Sequence, residues 1–320
     1  MDLYICGMRR LSLLVVTCIW SSFLWAQSSD AYQWFSGEGK KRSYAQVLKS
    51  LEQQIAQHEG PTVLLFGELH DDPIAHWMQK QLTADLYAIH SKMALGAEMF
   101  ERDQQWALNT YLNPPADSLP AQAKAPSMMS WGGDPAYSRL KKSINLWPNT
   151  KTDYLPLLEF AREKNIPFWA CNIPRRLANQ IYMKGIGSFD SLAADQKAWV
   201  VPLPFAYDSS LRCYADIFAM AGGHGGQNLP MAQASKDATM AYSISEHLNG
   251  IDLFIHYNGA YHSDYFESMV WYLKQYAPQA QIITLSTQLQ DEMQQLDREE
   301  DKRRKADFIL ATNSSMTRTH

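Results

Sequence analysis

Residues 62–73 read TVLLFGELHDDP, and this stretch decides the fold of the 320-residue chain. Its first six residues, Thr62 to Gly67, form a short apolar run that ends at a glycine, which is typical of a buried parallel strand. Acidic residues and then Pro73 follow. This order favours the start of a helix, because an acidic side chain can cap the helix and proline fits its first turn. Apolar residues then recur at helical spacing from Ile74 to Ile89, so the stretch predicts one strand–helix unit.

The same alternation of strands and helices continues along the chain. Further strands are predicted at residues 93–99, 166–171, 252–257, 281–285 and 307–311. Helices are predicted at residues 104–112 and 154–164, and a further helix is predicted with Phe266, Met269, Val270 and Leu273 on one face. Strands separated by helices predict an α/β fold whose largely parallel sheet is flanked by helices.

Two segments depart from this alternation. Residues 176–249 have a mainly helical pattern, interrupted by a glycine-rich turn at 221–226, and we expect them to form a helical insertion. Residues 288–305 are polar with balanced charge, which predicts a solvated helix or a flexible crossing.

The first residues have the pattern of an export signal. Arg9 and Arg10 precede an uncharged apolar run at residues 11–25, and the small residue Ala26 follows it. The run is shorter than the ~20 apolar residues of a membrane-spanning helix. We therefore expect a signal peptide over residues 1–26, a single domain over 27–320, and a location in the periplasm or at the outer membrane. An alternative start at Met8 would make Cys18 the acylated cysteine of a lipoprotein.

Charge and cysteine content limit the possible partners. Loss of Arg9, Arg10 and Asp2 with the signal would leave 27 of the 29 basic and 32 of the 33 acidic residues. This mild acidic balance gives no support for binding to nucleic acid. Cys171 and Cys213 would remain, and an oxidising compartment would permit a disulfide between them.

Polar residues follow several predicted strands directly. In an open α/β sheet, ligands bind beyond the carboxyl ends of the strands, so these residues are candidates for a site. They are Glu68, His70, Glu98, Asn172, Arg175, His256 and His262. Glu68, His70, Glu98 and His262 could bind a divalent metal or act as general acid and base. The structural alternative is a network of ion pairs that ties the loops together.

Asp237 lies on the apolar face of a predicted helix, where an unpaired carboxylate would be costly to bury. We consider two explanations for it. Arg175 is the proposed partner, and a contact with the N-terminal dipole of the helix is the alternative.

These residues resemble the ChaN-like proteins, which are bacterial iron-regulated haem-binding lipoproteins. The resemblance covers about residues 48–310 and is carried by the segments 63–71, 97–102, 154–161, 166–167, 171–176 and 258–262, together with Gln105, Ala232, Gln233, Asp237, Met240 and Ala241. It implies a fold shared with Tiki-type metalloproteases and erythromycin esterases. In that group, Gly-x-x-His motifs and strand-end glutamates form a metal or acid–base site. Glu68, His70, Glu98 and His262 match its positions.

The resemblance also implies haem as the ligand. ChaN-like proteins hold two haems face to face in a dimer, with a tyrosine as iron ligand. Tyr207, Tyr214 and His224 lie in the helical insertion and are the candidate ligands here, and Arg175 is a candidate for the propionates. We therefore expect a haem-binding envelope protein of haem and iron uptake, with a second copy and an outer-membrane haem receptor as partners. The alternatives are a metal-dependent peptidase or esterase using the Glu/His site, and an envelope binding module without activity.

Overall fold

The computed structural model describes residues 31–114, 134–220, 226–298 and 303–319. The predicted signal peptide, Cys18 and His224 lie outside these described residues. No helix in the described ranges is long and apolar enough to cross a membrane.

The described strands form one sheet of eight strands in the order β2-β1-β8-β7-β3-β6-β4-β5. Their bounds are β1 Tyr32–Ser36, β2 Lys41–Arg42, β3 Thr62–Glu68, β4 Met93–Glu101, β5 Phe168–Asn172, β6 Leu253–Gly259, β7 Gln281–Gln290 and β8 Phe308–Asn313. Strands β3 to β8 pair in parallel, whereas β1 pairs antiparallel with both β2 and β8. The predicted α/β fold with a largely parallel sheet is confirmed.

Helices cover both faces of this sheet. They are α1 Tyr44–Gln57, α2 Pro73–Ile89, α3 Gln105–Leu112, α4 Pro135–Ser143, α5 Leu155–Lys164, α6 Arg175–Lys184, α7 Ala194–Lys197, α8 Arg212–Met220, α9 Asn228–Glu246 and α10 Met269–Tyr276. Side chains such as Leu64 and Phe66 face a core shared with α1, α2, α3 and α5. The alternate residues Val63 and Leu65 face a second core, which is shared with α8, α9 and α10.

Residues 62–73 form the strand and the helix start that their sequence predicts. Asp72 caps α2 by accepting hydrogen bonds from the backbone amides of Ile74 at 2.9 Å and Ala75 at 3.2 Å, and Pro73 is the first residue of the helix. These contacts satisfy amides that otherwise have no partner within the helix. Thus β3 ends and α2 begins within five residues, which places residues 68–72 at the carboxyl edge of the sheet.

Several predicted elements differ from those observed. Strands β1 and β2 and helix α1 were not predicted. Residues 288–290 extend β7, and the described residues 291–298 and 303–305 contain no helix. Of the two alternatives for residues 288–305, a solvated helix or a flexible crossing, the helix is therefore not observed in these described residues. Within the insertion, residues 198–211 form an irregular connection between α7 and α8. Phe266 lies in a separate turn and has a positive φ of 62°, so it is not part of α10.

Cys171 and Cys213 are both buried and unbonded, so the disulfide is not formed in this structure. Burial raises the pKa of each thiol to about 12, which keeps both protonated at neutral pH.

Candidate functional site

The carboxyl edge of the sheet holds a buried group of acidic and imidazole side chains, which we call the strand-end cluster: Glu68, His70, Glu98, Asp237 and His262. Glu68 is the last residue of β3, and His262 lies in a short turn just after β6. Glu68, Glu98, Asp237 and His262 are all at most 6% exposed, whereas the side chain of His70 is 38% exposed. His70 is therefore the member of the cluster that solvent reaches.

Glu68 and His70 form one half of the cluster. The Nδ1 of His70 lies 2.9 Å from the Oε1 of Glu68, so the ring donates this hydrogen bond. Glu68 also accepts hydrogen bonds from the hydroxyl of Tyr154 at 2.6 Å and the amide of Gln79 at 2.5 Å. Burial alone would raise the pKa of Glu68, but the hydrogen bond from His70 and the charge of His76 outweigh burial and lower it. The carboxylate is thus ionised, and its orientation is fixed.

Glu98, His262 and Asp237 form the other half. The Nδ1 of His262 lies 2.5 Å from the Oδ1 of Asp237, and its Nε2 lies 3.1 Å from the Oε1 of Glu98. Burial by itself lowers the pKa of His262, but the charges of Glu98 and Asp237 outweigh that effect and raise the pKa to about 10. The ring is therefore a buried imidazolium at neutral pH. The same interaction holds the pKa of Glu98 well below its usual range.

The two halves approach each other at Gly259, the last residue of β6. Glu68 and Glu98 occupy opposite faces of the sheet, because their neighbours along each strand alternate between the two cores. The backbone amide of Gly259 donates to Glu98 at 2.8 Å. A Cβ atom at this position would lie 2.8 Å from the Nε2 of His70 and 3.5 Å from the Oε2 of Glu98. Glycine therefore lets the exposed imidazole come close to the buried half.

The residues that support Glu68 were not predicted as site residues. His76 lies between Glu68 and Asp153. Its Nδ1 is 3.5 Å from the Oε2 of Glu68, and its Nε2 is 3.5 Å from the Oδ2 of Asp153. Asn149 donates to the backbone carbonyl of His70 at 2.8 Å and to the carboxylate of Asp153 at 2.7 Å. In the sequence, only the capping signal before α2 indicated that this helix starts beside the strand end.

The predicted partner of Asp237 was wrong. Asp237 accepts hydrogen bonds from His262 and from the hydroxyl of Tyr214, the latter at 2.9 Å. It is the tenth residue of α9, so a contact with the N-terminal dipole is also excluded. Arg175 is exposed at the start of α6 and forms no ion pair among the described residues. The partners of Asp237 are thus a protonated histidine ring and a tyrosine hydroxyl, and not the predicted arginine.

Two other strand-end candidates, His256 and Asn172, contribute to the structure of the sheet. His256 lies three residues before the end of β6 and is fully buried in the sheet. Its burial lowers the pKa to about 4, so the ring is neutral. Asn172 donates to the backbone carbonyl of Glu98 at 3.0 Å and so joins the ends of β4 and β5.

The predicted haem ligands differ in accessibility. Tyr214 is 1% exposed, and its hydroxyl is bonded to Asp237. Tyr207 is half-buried and packs against Tyr214 with 5.6 Å between the ring centroids. Its hydroxyl is buried without a hydrogen-bond partner among the described residues. In this conformation, neither phenol oxygen is open to a ligand.

The four predicted acid–base residues do come together, but not as ligands around one point. In the described part of the chain, no three His, Cys, Asp or Glu side chains are arranged to hold a metal ion. Both nitrogens of His262 and the Nδ1 of His70 are engaged by carboxylates instead. In this arrangement the residues form two hydrogen-bonded groups that can hold and transfer protons, and the binding of a divalent metal by them stays a prediction.

Comparisons with known proteins agree with this architecture. A family model described as haem-binding uptake, Tiki superfamily, ChaN matches residues 54–273. A ChaN protein of Campylobacter jejuni, whose structure shows cofacial haem binding, is similar with a TM-score of 0.57 at 14% identity over 87% of this chain and 96% of that one. An erythromycin esterase, EreC, has a TM-score of 0.48 at 11% identity over 90% and 98% of the two chains. No curated protein sequence matches the chain.

The fold and the strand-end cluster define a parallel α/β protein with a Glu/His site at the carboxyl edge of its sheet. The chain belongs to the ChaN family of haem-binding uptake proteins, within the Tiki superfamily.

Proposed function

We propose that this protein binds haem and serves haem uptake in the bacterial envelope. The observation that carries this proposal is its membership of the ChaN haem-binding family over residues 54–273. The cofacial haems of the Campylobacter jejuni protein, which shares the fold, further support a tetrapyrrole as the ligand.

The surface of the helical insertion supports the same ligand. Its exposed large apolar or aromatic side chains are Tyr182, Met183, Leu203, Phe218 and Met220. Large apolar side chains that are exposed on one segment are available for contact with an apolar ligand or a second chain. A porphyrin ring offers a flat apolar surface of this kind, and a tyrosine can ligate its ferric iron.

Location and partners complete the proposal. The basic, apolar and small residues over residues 1–26 support export, and Cys18 is the candidate for acylation. A dimer with two haems would match the cofacial arrangement in the Campylobacter jejuni protein. An outer-membrane haem receptor would then deliver the ligand.

A haemin titration of the purified protein without residues 1–26 tests the function. We expect a saturable Soret band at micromolar haemin, together with a shift of the elution volume towards a dimer. A parallel titration with bovine serum albumin calibrates nonspecific haem uptake. A flat titration at micromolar haemin would refute haem binding, and a saturable band without a size change would refute only the dimer.

Hydrolysis of an ester or peptide bond is a second candidate function. It is favoured by the buried group of Glu98, His262 and Asp237 beside the exposed His70. Burial lowers the pKa of His70, but the hydrogen bond from its ring to Glu68 and the charge of Glu98 outweigh burial and raise it. His70 would be the group that exchanges a proton with a substrate, while Glu68 fixes its ring.

Assays with chromogenic esters and peptides, with and without a chelator, test this second function. We expect His70→Gln to abolish turnover and His58→Gln to leave it unchanged. His58 is a suitable control because it lies before β3, at the opposite edge of the sheet. Equal activity in both variants would show that the strand-end cluster is not the source of the hydrolysis.

A further inference from the structure

The residues that follow β8 run back to the loop that carries His70. We call residues 314–319 the 314–319 segment. The backbone amide of Met316 donates to the carbonyl of Asn313 at 3.0 Å, so the chain turns directly after β8. The segment lies outside residues 54–273, which the family model matches. Nothing in that match assigns it a role.

Arg318 binds the two carboxylates that follow His70 in the chain. Its guanidinium forms ion pairs with Asp71 and with Asp72, the latter at 3.2 Å. All three side chains are partly or fully protected from solvent, with exposures of 24% for Arg318, 35% for Asp71 and 2% for Asp72. A guanidinium carries five N–H donors in one plane, so it can hold two carboxylates at once. The arginine therefore joins the segment to two consecutive residues of the loop.

Thr319 holds the same loop through its backbone. Its amide donates to the carbonyl of Asp71 at 2.9 Å. Its hydroxyl donates to the carboxylate of Asp153 at 3.0 Å, and Asp153 also accepts a hydrogen bond from Asn149 at 2.7 Å. Asn149 in turn donates to the carbonyl of His70. The carbonyls of His70 and Asp71 are thus both held by groups from outside the loop.

The start of α2 does not depend on Arg318 alone. Asp72 caps this helix with its Oδ1, while its Oδ2 also accepts a hydrogen bond from the hydroxyl of Thr312 at 2.5 Å. Without the guanidinium, Asp72 would keep the bonds from the two helix amides and from Thr312. A variant that lacks this arginine should therefore keep the helix start, and its effect should be confined to the loop.

His70 needs support from outside its loop. The described residues 69–72 form a turn and no helix or strand, and connections of this kind at the surface are more mobile than the elements that they join. A side chain that acts on a ligand must be held within about 0.5 Å of its productive position. The hydrogen bond to Glu68 fixes the ring of His70, and the loop contacts fix the backbone from which that ring extends.

We infer that the 314–319 segment positions His70, and that Arg318 and Thr319 are its positioning residues. They act through the backbone of residues 70–72, which would otherwise be held only by its own turn and by Asn149 and His76. The position of the ring is independent of the ligand, whereas the effect on hydrolysis rests on the second proposed function.

The ring of Trp147 provides a reporter for the position of His70. The two rings meet edge to face with 4.9 Å between their centroids, so the ring current of the indole shifts the proton resonances of the imidazole. NMR spectra of 13C-histidine-labelled protein, with Trp147→Leu as the reference, measure this shift. We expect Arg318→Gln to remove most of it. Arg318→Lys should restore part of it, because lysine keeps the charge but not the planar donors.

The spectra are recorded at about pH 5, below the ordinary histidine pKa of 6.5. The imidazole of His70 is then protonated in every variant, so a changed resonance reports a changed position. The resonance that is missing in His70→Gln identifies the ring, and circular dichroism establishes that the variants are folded.

Arg162→Gln is the matched control. Arg162 is 30% exposed and forms an ion pair at 3.0 Å with Asp134, which caps α4 as Asp72 caps α2. This variant therefore loses a similar ion pair to a helix cap, but not one that holds the loop of His70. It should leave the resonances of His70 unchanged.

Hydrogen exchange measured by mass spectrometry distinguishes positioning from a general loss of stability. In Arg318→Gln, peptides that cover residues 69–75 should exchange about tenfold faster than in the parent protein, while exchange in β5 stays unchanged. Thr319→Ala removes only the bond to Asp153 and should have a smaller effect of the same kind. Faster exchange throughout the sheet would show a merely structural role and would overturn the inference.

Activity separates this inference from the function on which part of it rests. If the parent protein hydrolyses an ester or peptide, Arg318→Gln should lower kcat about tenfold with KM little changed, since substrate binding remains while His70 is displaced. If the parent protein is inactive, the second proposed function fails and the His70 resonances still decide the inference. Unchanged resonances in Arg318→Gln, or equal changes in Arg162→Gln, would show that the segment does not position His70.

Discussion

At the scale of single residues, the strand-end cluster depends on how burial and charge compete. His262 is fully enclosed, and burial alone would make its ring neutral. Two carboxylates at hydrogen-bond distance reverse that preference, so the His262 ring is charged although it is buried. Loss of either carboxylate would leave an uncompensated charge in the core, which is among the most destabilising changes a protein can undergo.

Stability is expected to depend on the protonation of His262. Its pKa of about 10 in the folded protein exceeds the ordinary value of 6.5, so the ion pair stabilises the fold fully below pH 6.5. This contribution is lost as the pH rises through about 10. We expect the free energy of unfolding, measured in urea between pH 6 and pH 10, to fall in the parent protein.

His262→Gln should remove this part of the pH dependence, although the variant will be less stable throughout. NMR titration of the His262 ring gives a direct measurement. An ordinary pKa near 6.5 for the folded protein would contradict the buried imidazolium.

At position 259, even a methyl side chain is expected to clash with a neighbouring residue. Gly259→Ala would place a Cβ atom 2.8 Å from the Nε2 of His70, so the imidazole must move away from Gly259. Overpacking costs about 1–3 kcal/mol where the neighbouring group is held in place, and here the hydrogen bond from His70 to Glu68 opposes movement of the ring. Gly187→Ala is the matched control, since no atom lies within 4 Å of its Cβ position. Equal urea midpoints for the two variants would show that His70 is not held against Gly259.

At the scale of elements, helix α8 connects the insertion to the strand-end cluster. Tyr214 projects from α8 to Asp237 on α9, and Asp237 in turn contacts His262 after β6. The insertion and the carboxyl edge of the sheet are therefore not separate surfaces. A change in the position of α8 would act directly on the hydrogen bonds of the buried imidazolium.

The two tyrosines of the insertion should differ in their contribution to stability. Tyr214→Phe removes a donor from a buried carboxylate, which costs about 1–3 kcal/mol. Tyr207→Phe removes a buried hydroxyl that has no partner among the described residues, so it should be neutral or slightly stabilising. Thermal unfolding of both variants measures the difference. A loss of stability in Tyr207→Phe equal to that in Tyr214→Phe would contradict this assignment.

At the scale of the whole molecule, the sheet is completed by residues far apart in the sequence. β1 pairs with β8, and Trp34 and Phe35 are at most 1% exposed. The carboxyl edge of the sheet similarly gathers side chains from β3, β4, α9 and the turn after β6. The site therefore requires that the complete sheet forms first.

Two N-terminal deletions should differ in their effect on stability, because only the longer one removes part of the sheet. Deletion of residues 1–26 removes no residue of a described strand, and we expect an unchanged Tm. Deletion of residues 1–36 removes β1 with Trp34 and Phe35, so we expect a loss of cooperative unfolding and aggregation through the exposed edge of β8. A stable, monomeric product from the longer deletion would show that β1 is dispensable.

The sequence alone determined the parallel strands and the polar residues at their ends. A buried parallel strand must be apolar throughout, so runs such as residues 62–67 indicate it without any long-range contact. The positions of Glu68, His70, Glu98 and His262 follow from where those runs stop. Strands β1 and β2 were missed because they are short and follow no helix.

Only the tertiary structure decided which residues pair. Asp237 and His262 are 25 residues apart, and Tyr154 and Glu68 are 86 apart, yet each pair is in hydrogen-bond contact. Sequence patterns reveal that a buried carboxylate needs a partner, and for Asp237 they favoured Arg175. Helix packing brought His262 and Tyr214 to it instead, because a hydrogen bond depends on distance and direction in space and not on separation along the chain.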